Sequence, residues 1–530
     1  MKLSEFRNEA LADFSRAENQ QAMRAALESV RSRLGKSYPM MIDGQPVSLD
    51  ATMTSVNPAS PSQVIGTFPS GDASHADRAT EAAHRYFLES WRRTSWEERA
   101  AILVETARLM RERKFELSAL MVYEVSKSWA EADADTAEAI DFAEYYARQA
   151  LELADPPEMG EYPGEDNEMF YIPMGVCAVI PPWNFPLAIM AGMTMAALVT
   201  GNTVVLKPAE QSPVIAAWFY DLIIEAGLPK QALNFITGPG EVVGARMVEH
   251  PLTRIVAFTG SQQVGLHIYE QAAKVRPGQK WLKRMVLEMG GKDALVVDET
   301  ADVDEAAAAI VASAFGFQGQ KCSACSRAIV VDDVYDRVAE KVVEKARTLT
   351  IGAPDQPDNH MGAVIDTDAL EKIRKYIDIG KQEGRLLLGG DGLDGSDGYF
   401  VKPTVVADVA PDARLAQEEV FGPVLALIRA NDYDDALRIA NSTDFGLTGG
   451  VFSNERERLE RAEQEFHVGN LYLNRKITGA LVGVQPFGGF NMSGTDSKAG
   501  GPDYLLLFVQ AKTVSTRRRG SATGGTPAGV

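Results

Sequence analysis

Two blocks of the chain, at about 170–287 and 290–450, alternate short runs of valine, isoleucine and leucine with longer amphipathic segments. The runs read VCAVI, TVVL, ALNFI and RIVAFT in the first block, then ALVV and AIVV in the second. A strand that is apolar at every position is buried on both faces, which is typical of a parallel sheet covered by helices on each side. The alternation therefore predicts an α/β fold with two parallel sheets.

The stretch from Met169 to Leu206 has no charged residue, but its sequence argues against a membrane helix. Prolines and glycines interrupt it before it reaches the roughly 20 apolar residues that a bilayer-spanning helix needs. We expect a strand at 176–180, a helix at about 187–200 and a strand at 203–206. Earlier in the chain, residues 1–50 are predicted to form an N-terminal helical cap, and residues 72–150 a mainly helical region.

Composition limits the partners that the chain can bind. Its 530 residues include 53 basic and 73 acidic side chains, for a formal net charge of −20, and three cysteines. The acidic excess argues against nucleic-acid and anionic-membrane partners, since phosphate groups are bound by clustered lysine and arginine. Three cysteines cannot form a four-thiolate zinc site, and we expect no metal. Sparse cysteine and a charged N-terminus without a secretory signal favour a cytoplasmic protein.

Cys322 is the first candidate for chemistry. It lies in the segment GFQGQKCSACSR, where glycines at 316 and 319 would let the backbone approach a ligand. We expect Lys321 and a helix N-terminus to lower the pKa of the Cys322 thiol and so favour the nucleophilic thiolate. Two alternatives stay open at this point: an inert buried thiol, or a redox dithiol formed with Cys325.

A thiolate that attacks a carbonyl carbon needs an oxyanion donor and, for hydrolysis, a base. Asn184, between prolines in the segment PWNFP, is a candidate donor, although its side chain could equally cap the helix that follows. Glu288 in LEMGGK follows a strand-like run, and the glycines after it would leave its carboxylate free. An isolated glutamate is more often a solvated surface group, so the residues alone leave both interpretations open.

Several glycine turns at strand ends can bind a dinucleotide. Residues 238–244 are close to the Rossmann fingerprint but have one residue too many before the third glycine, and no acidic ribose ligand stands where that motif needs it. A second turn, FTGS, would place Ser261 and backbone amides at a helix start, where phosphate can bind. Lys207 and Glu210, at the end of another strand, could reach ribose hydroxyls.

Taken in order, these segments resemble the aldehyde dehydrogenase superfamily. The resemblance is carried by PWNFP, KPAE, TGPG, FTGS, LEMGGK, GQKC, EEVFGP and QPFGG, and it extends from about Val56 to Ser515. Within the superfamily, GFQGQKCSACSR and RKITGALVGVQPFGGFNMSGTDSKAGG are similar to the 1-pyrroline-5-carboxylate dehydrogenases of proline catabolism. The resemblance implies NAD-dependent oxidation of L-glutamate 5-semialdehyde to L-glutamate, the second step of proline degradation.

The resemblance also implies a role for each site residue. Cys322 would form a thiohemiacetal and then a thioester, Asn184 would hold the oxyanion, and Glu288 would activate water. NAD would be bound by Lys207, Glu210, Gly240, Thr259, Gly260, Ser261, Glu419 and Phe421. The substrate would be bound by Phe185, Ser323, Gly479, Ala480, Phe487 and Glu138. Glu138 would meet the ammonium group of the substrate, although a solvated helix charge is an equally good interpretation of that position.

The same resemblance implies a domain division and partners. It assigns residues 1–150 and 170–287 to a Rossmann-like NAD-binding domain, 288–485 to a parallel α/β catalytic domain, and 151–169 with 486–515 to a β-flap for oligomerisation. Residues 516–530 would form a disordered tail.

We expect a homodimer or a dimer-based larger oligomer, because YLLLFVQ near the C-terminus would be an exposed edge in a monomer. The resemblance also suggests a proline dehydrogenase as a partner. Two functional alternatives remain: a dehydrogenase of another semialdehyde, or a catalytically silent binding protein on the same fold.

Overall fold

The computed structural model describes residues 3–392 and 397–518. The α-helices of this part of the chain are α1 (Ala17–Arg31), α2 (Ala73–Glu89), α3 (Trp96–Glu112), α4 (Lys114–Val125), α5 (Trp129–Ala154), α6 (Ala188–Val199), α7 (Pro213–Glu225), α8 (Ala245–Glu249), α9 (Gln262–Ala273), α10 (Val303–Phe315), α11 (Asp332–Ala346), α12 (Thr367–Glu383), α13 (Arg414–Gln417), α14 (Tyr433–Ala440) and α15 (Arg456–Glu465).

The strands are β1 (Lys36–Ser37), β2 (Met40–Ile42), β3 (Gln45–Val47), β4 (Thr52–Asn57), β5 (Ser60–Pro69), β6 (Glu165–Pro173), β7 (Val176–Ile180), β8 (Thr203–Leu206), β9 (Leu233–Phe235), β10 (Thr253–Thr259), β11 (Arg284–Glu288), β12 (Ala294–Val297), β13 (Arg327–Val331), β14 (Arg385–Leu388), β15 (Thr404–Ala407), β16 (Val424–Ala430), β17 (Phe445–Gly446), β18 (Thr448–Phe452), β19 (Asn470–Leu473), β20 (Phe490–Asn491) and β21 (Val509–Arg517).

The first large sheet has seven strands in the order β11-β10-β7-β8-β9-β2-β3. Strands β11 to β9 in that order are parallel, and β2 with β3 adds an antiparallel hairpin at one edge. Strands β8 and β9 continue on one side of β7, whereas β10 and β11 lie on the other side. The connections from β7 and β10 therefore diverge, and such a point is where open α/β sheets bind ligands.

The second large sheet has the order β14-β15-β16-β13-β12-β18-β19, and its edge strand β14 is antiparallel to its neighbour. Strand β12 shows how the apolar runs are used, because Leu295 and Val297 pack into one core and Ala294 and Val296 into another on the opposite face. Alternate residues of β7 divide in the same way between two further cores. The prediction of an α/β fold with two parallel sheets is confirmed.

The charge-free stretch folds as the sequence predicts, with strand β7, helix α6 and strand β8 in succession. Helix α6 is apolar on all sides because it is buried on all sides, and of its residues only Ile189 keeps part of its surface. Along residues 3–392 and 397–518, no helix combines the length and the hydropathy needed to cross a bilayer.

The two ends of the chain differ from the predictions. After α1, the N-terminal region contributes β2 and β3 to the first sheet, so it is only partly a helical cap. The segment YLLLFVQ is not an exposed edge, because Tyr504, Leu505 and Phe508 lie in a buried 3₁₀ turn. Strand β21 then pairs with β6 in a separate two-stranded sheet and continues to Arg517, beyond the boundary predicted at 515. Positions 519–530 of the predicted tail lie outside the described residues.

Candidate active site

The loop that carries Cys322 has an unusual backbone. It leaves helix α10 through Phe317 and Gln318, whose φ values of 49° and 57° lie in the left-handed region. Residues other than glycine adopt this region at an energetic cost, so the surrounding structure must hold the loop. Gln318 does this by donating from Nε2 to the carbonyl groups of Ser126 and Ala363, at 3.1 and 2.8 Å. These two hydrogen bonds hold the loop that carries Cys322 in place.

The pKa of the Cys322 thiol is raised, not lowered as the sequence suggests. Burial in the packed loop is the largest cause, and the carboxyl groups of Asp293 and Glu288 add to it. Lys321 does not offset this effect, because its ammonium group is paired with Glu131 at 2.7 Å. No helix of the described chain begins at the cysteine, the next one being α11. The predicted activation by Lys321 and a helix N-terminus is therefore wrong, and Cys322 is a neutral thiol in this arrangement.

The other two cysteines have different surroundings. Cys177 and Cys325 are buried, whereas Cys322 keeps part of its side chain exposed. Burial raises the pKa of Cys325 to about 12, and its sulfur donates to the carbonyl of Arg327 at 3.4 Å. Cys322 is thus the cysteine that a small molecule can reach.

Asn184 lies in the loop between β7 and α6, against the loop that carries Cys322. The residue is 4% exposed, and its Nδ2 donates to the carbonyl of Gln320 at 3.1 Å, two residues before Cys322. It does not cap α6, because the amide of Ala188 donates to Asp135 Oδ1 at 2.7 Å. The capping interpretation of Asn184 is therefore wrong. A primary amide has two N–H groups, so one remains for a substrate oxygen.

Glu288 ends strand β11 and is held by the C-terminal part of the chain. Its Oε1 accepts a short hydrogen bond from the Ser497 hydroxyl, while Oε2 is buried without a hydrogen-bond partner in residues 3–392 and 397–518. Burial raises the pKa of Glu288 to about 8, against the opposing effects of Ser497, the Gly489 amide and Lys498. Glu288 is therefore not a solvated carboxylate: it is mostly protonated at neutral pH and becomes a base near pH 8.

Glycines allow the C-terminal segment to approach this carboxyl group. A Cβ atom on Gly488 would lie 1.5 Å from the Ser497 carbonyl oxygen and 3.0 Å from Glu288 Oε1. Gly494 pairs with Glu288 in an isolated β-bridge, and the amide of Met289 donates to the Ser493 carbonyl at 2.7 Å. Residues 488–497 thus form one wall of the site, and a side chain at 488 would displace it.

The first group of predicted NAD residues lies at the carboxyl end of β8. Lys207 and Glu210 form an ion pair at 2.9 Å, and Lys207 Nζ also donates to the Pro208 carbonyl at 3.1 Å. Cβ atoms on Gly240 and Gly244 would lie 3.5 Å from Glu210 Oε1 and 3.6 Å from Lys207 Cδ. The two glycines leave open backbone next to the ion pair, which suits the adenosine part of a dinucleotide.

The second group lies at the end of β10, where Thr259 and Gly260 lead into Ser261. Ser261 is the N-cap of α9 and accepts from the amide of Val264 at 3.4 Å. Because Ser261 caps α9, a helix of 12 residues, the N-terminal amides and the positive end of the helix dipole face this turn. Thr259 is largely buried, and its hydroxyl contacts Met193 Sδ at 3.7 Å. The turn suits a pyrophosphate group.

The third group, Glu419 and Phe421, lies in the loop between α13 and β16. Glu419 Oε1 accepts from the Gly291 amide at 3.0 Å, and burial raises the pKa of the Glu419 carboxyl group. Phe421 has a φ of 58°, and its ring lies edge to face with Trp183 at 5.6 Å between centroids. The second oxygen of Glu419 has no hydrogen bond in the described chain and is free for a ribose hydroxyl. The three groups together fit NAD.

The predicted substrate residue Phe185 packs around a lysine that the sequence does not single out. Lys127 is fully buried, with its Nζ 3.9 Å from the Phe185 ring centroid and 4.6 Å from that of Phe317. It also pairs with Asp135 at 2.8 Å. The second predicted aromatic residue, Phe487, is half-buried and exchanges backbone hydrogen bonds with Ala499 at 2.9 and 2.8 Å. Only burial, which the sequence does not show, distinguishes Lys127 from a surface lysine.

Glu138 is not a solvated helix charge. Burial raises its pKa to about 8, and repulsion by Asp135 outweighs attraction by Lys127. In the described chain its carboxyl group has no hydrogen bond or ion pair. Helix α5 thus presents Glu131, Asp135 and Glu138 on this side, and among the described residues only Glu138 of these three has no cationic partner.

The remaining predicted substrate residues line two loops. Ser323 is 8% exposed, and its carbonyl accepts from Thr448 Oγ1 at 3.3 Å. Gly479 is exposed with a φ of 78°, and Ala480 is half-buried, both in the loop after β19. Ser323 follows Cys322 directly, whereas Gly479 and Ala480 lie in a separate loop after β19.

Three comparisons agree with this geometry. The model of the aldehyde dehydrogenase family matches residues 46–514. The chain is 59% identical over 510 residues to the 1-pyrroline-5-carboxylate dehydrogenase of Geobacillus thermodenitrificans, covering 96% of this chain and 99% of the relative. It is similar to the solved 1-pyrroline-5-carboxylate dehydrogenase from Thermus with bound NAD, with 52% identity and a TM-score of 0.96, covering 98% of this chain and 100% of that one.

A further solved structure is longer than this chain. Proline utilization A from Bdellovibrio bacteriovorus, inactivated by N-propargylglycine, matches with a TM-score of 0.96 and 46% identity. The match covers 99% of this chain and 55% of that one. On the motifs, the fold and these similarities, the chain belongs to the aldehyde dehydrogenase family.

Proposed function

We propose that this chain oxidises L-glutamate 5-semialdehyde, formed from 1-pyrroline-5-carboxylate, to L-glutamate with NAD, in the second step of proline degradation. The observation that carries the proposal is the cluster of Cys322, Asn184 and Glu288 beside the divergent loops of the first sheet. Relatives named 1-pyrroline-5-carboxylate dehydrogenase, one of them solved with NAD, support the substrate and the cofactor.

Cys322 is the nucleophile of this reaction. Its sulfur bonds to the aldehyde carbon as the thiol proton passes to solvent water, and the Asn184 side chain and the Cys322 backbone amide donate to the oxyanion. NAD, when bound, supplies the acceptor for the hydride that leaves this carbon. Cys322 then holds the acyl group as a thioester.

Glu288 releases the product. Its carboxylate takes a proton from water as the water oxygen bonds to the thioester carbon. The carbon–sulfur bond breaks, glutamate leaves, and the Cys322 sulfur takes the proton from Glu288. Because the pKa of Glu288 is about 8, only a minority of molecules hold it as a base at neutral pH.

Each end of the substrate has a matching group in the site. The unpaired Glu138 carboxyl group accepts hydrogen bonds from the ammonium group, and it becomes charged when that cation enters. Phe185 and Phe487 pack against the aliphatic part. The Ser323 hydroxyl and the amides of Gly479 and Ala480 bind the α-carboxylate, since backbone amides form anion sites without a cation.

The test is a steady-state assay of NADH formation across a panel of aldehydes. We expect 1-pyrroline-5-carboxylate to give the highest kcat/KM, no turnover in Cys322→Ala, and near-wild-type turnover in Cys325→Ser. Faster oxidation of succinate semialdehyde would favour the alternative semialdehyde dehydrogenase, and inactivity with every aldehyde would favour a silent binding protein. Loss of activity in Cys325→Ser would favour a redox dithiol.

We also propose that two copies of the chain form a dimer. The β6–β21 sheet pairs with neither large sheet, and most of β21 is exposed. Large apolar side chains are exposed on and after α9, at Val264, Leu266, Tyr269, Val275 and Leu282. Burying these surfaces against a second copy would remove them from water. Light scattering after size exclusion tests this, and a monomer at micromolar concentration would refute it.

The proline dehydrogenase partner and the cytoplasmic location are proposals as well. In the similar proline utilization A, the matched region is 55% of the chain, so that protein carries an additional part of comparable size. An additional part in a relative named for proline utilization is consistent with a proline dehydrogenase partner here. Co-purification with a proline dehydrogenase tests the partner, and cell fractionation tests the location.

A further inference from the structure

Lys476, in the loop after β19, is a lysine whose ammonium group has no partner among the described residues. The next residue, Ile477, is fully buried, and its amide donates to Ser313 Oγ at 3.1 Å, which fixes the loop against α10. Lys476 itself is exposed, and in the described chain its ammonium group has no hydrogen bond or ion pair. The backbone at Lys476 is therefore held while its side chain stays available.

The ammonium group of Lys476 lies next to Gly479. A Cβ atom built on Gly479 would be 3.8 Å from Lys476 Nζ and 3.7 Å from Cε. Gly479 has a φ of 78°, in the region that favours glycine, so a side chain at this position is disfavoured. A carboxylate bound by the Gly479 amide would thus come close to a cation.

The charges around Lys476 explain why it lacks a counter-ion. Partial burial of the exposed Lys476 side chain and repulsion from Lys321 lower the pKa of Lys476, and Glu131 opposes them only in part. Glu131 is already paired with Lys321 at 2.7 Å. An entering anion would therefore supply the counter-charge that Lys476 lacks in the described chain.

We infer that Lys476 is a specificity-determining residue that binds the α-carboxylate of the substrate. The inference rests on the proposed function and adds a cation to the backbone amides already assigned to that carboxylate. Lys321 interacts electrostatically with both Glu138 and Lys476, so Glu138 and Lys476 lie near the same lysine. Glu138 and Lys476 then give the site one anion and one cation, which match the ammonium and carboxylate groups of an amino acid.

The test compares Lys476→Met with the wild-type enzyme on glutamate 5-semialdehyde and on butanal, which lacks both charged groups. We expect KM for the semialdehyde to rise about tenfold, the effect of losing one charge-assisted hydrogen bond. KM for butanal should not change, and Lys476→Arg should recover most of the affinity. Lys381→Met is the matched control, because it removes the same charge from α12, where Lys381 pairs with Asp378 at 3.1 Å.

The outcomes separate this inference from the proposed function. An unchanged KM for the semialdehyde in Lys476→Met, or an equal rise for butanal, would overturn the role of Lys476. A wild-type enzyme that oxidises butanal but not the semialdehyde would overturn the proposed function instead. NAD affinity, measured by fluorescence titration, should be equal in all variants. In the wild type, but not in Lys476→Met, added salt should raise KM for the semialdehyde, and it should not change KM for butanal. A rise in KM with salt for butanal and not for the semialdehyde would also overturn the inference.

Discussion

Raising the pH from 7 to 9 should accelerate thioester hydrolysis about tenfold, because Glu288 changes from acid to base over that range. Its pKa is about 8, so about one tenth of the molecules hold a Glu288 carboxylate at pH 7 and about nine tenths at pH 9. The cause is burial, since Oε2 has no hydrogen-bond partner in the described chain. A carboxyl group in water would be fully ionised throughout and would give no such dependence.

Rapid mixing with NAD and the semialdehyde separates the two halves of the reaction. A burst of NADH reports oxidation at Cys322, and the slower steady phase reports hydrolysis by Glu288. Between pH 7 and 9 the steady phase should rise about tenfold with a midpoint near 8. Glu288→Gln should keep the burst and lose the steady phase.

Ser497 provides a second variant with a defined direction. Its hydrogen bond lowers the pKa of Glu288, as does the charge of Lys498, whereas Asp496 raises it. Ser497→Ala should therefore move the midpoint of the steady phase to higher pH and leave the burst unchanged. A steady phase that is constant from pH 7 to 9, or a Ser497→Ala midpoint at lower pH, would refute the reasoning.

Four further predictions concern other parts of the site. Lys127→Met should lower the free energy of unfolding by about 3–5 kcal/mol, since it leaves Asp135 buried and unpaired, and adding Asp135→Asn should recover part of this in urea titrations. Glu210→Gln should lower KM for NADP with little change for NAD, because a carboxylate repels a 2′-phosphate. Asn184→Ala should reduce kcat about a hundredfold to a thousandfold without loss of NAD binding. The pKa of Glu288 is raised from 4.5 to about 8, so its contribution to stability is present below pH 4.5 and is lost as the pH rises through 8. Glu288→Gln should therefore lose less stability than the wild type between pH 5 and 9 in the same titrations.

The sheets and their order of elements could be predicted because apolar runs and proline or glycine breaks are local signals. The segment 176–206 is an example, since β7, α6 and β8 fall at the predicted positions. The C-terminal segment shows the limit of such signals. An apolar run at 504–508 can be an exposed edge or a buried turn, and contacts with distant helices decide between them.

Candidate site residues could be selected from the sequence, but their interaction partners and protonation states could not be predicted from it. A lysine next to a cysteine, such as Lys321, is expected to lower the pKa of the thiol. The ammonium group of Lys321 is instead paired with Glu131, 190 positions earlier in the chain. Asn184 stands where a helix cap is expected, and Asp135 from another helix takes that role. Glu288 and Glu138 have raised pKa values because other segments bury them. Each of these outcomes depends on contacts between residues far apart in the chain, which spacing does not show.

The packing around Cys322 also bears on how long the enzyme survives in an oxidising cell. Peroxide and alkylating agents react with thiolates far faster than with thiols. Burial and nearby carboxyl groups raise the pKa of Cys322, and burial raises that of Cys325 to about 12, so both sulfurs are protonated while the enzyme is idle. The two cysteines, three positions apart, therefore do not readily close into a disulfide. A protonated Cys322 is therefore less reactive toward such reagents before substrate binds than a thiolate would be.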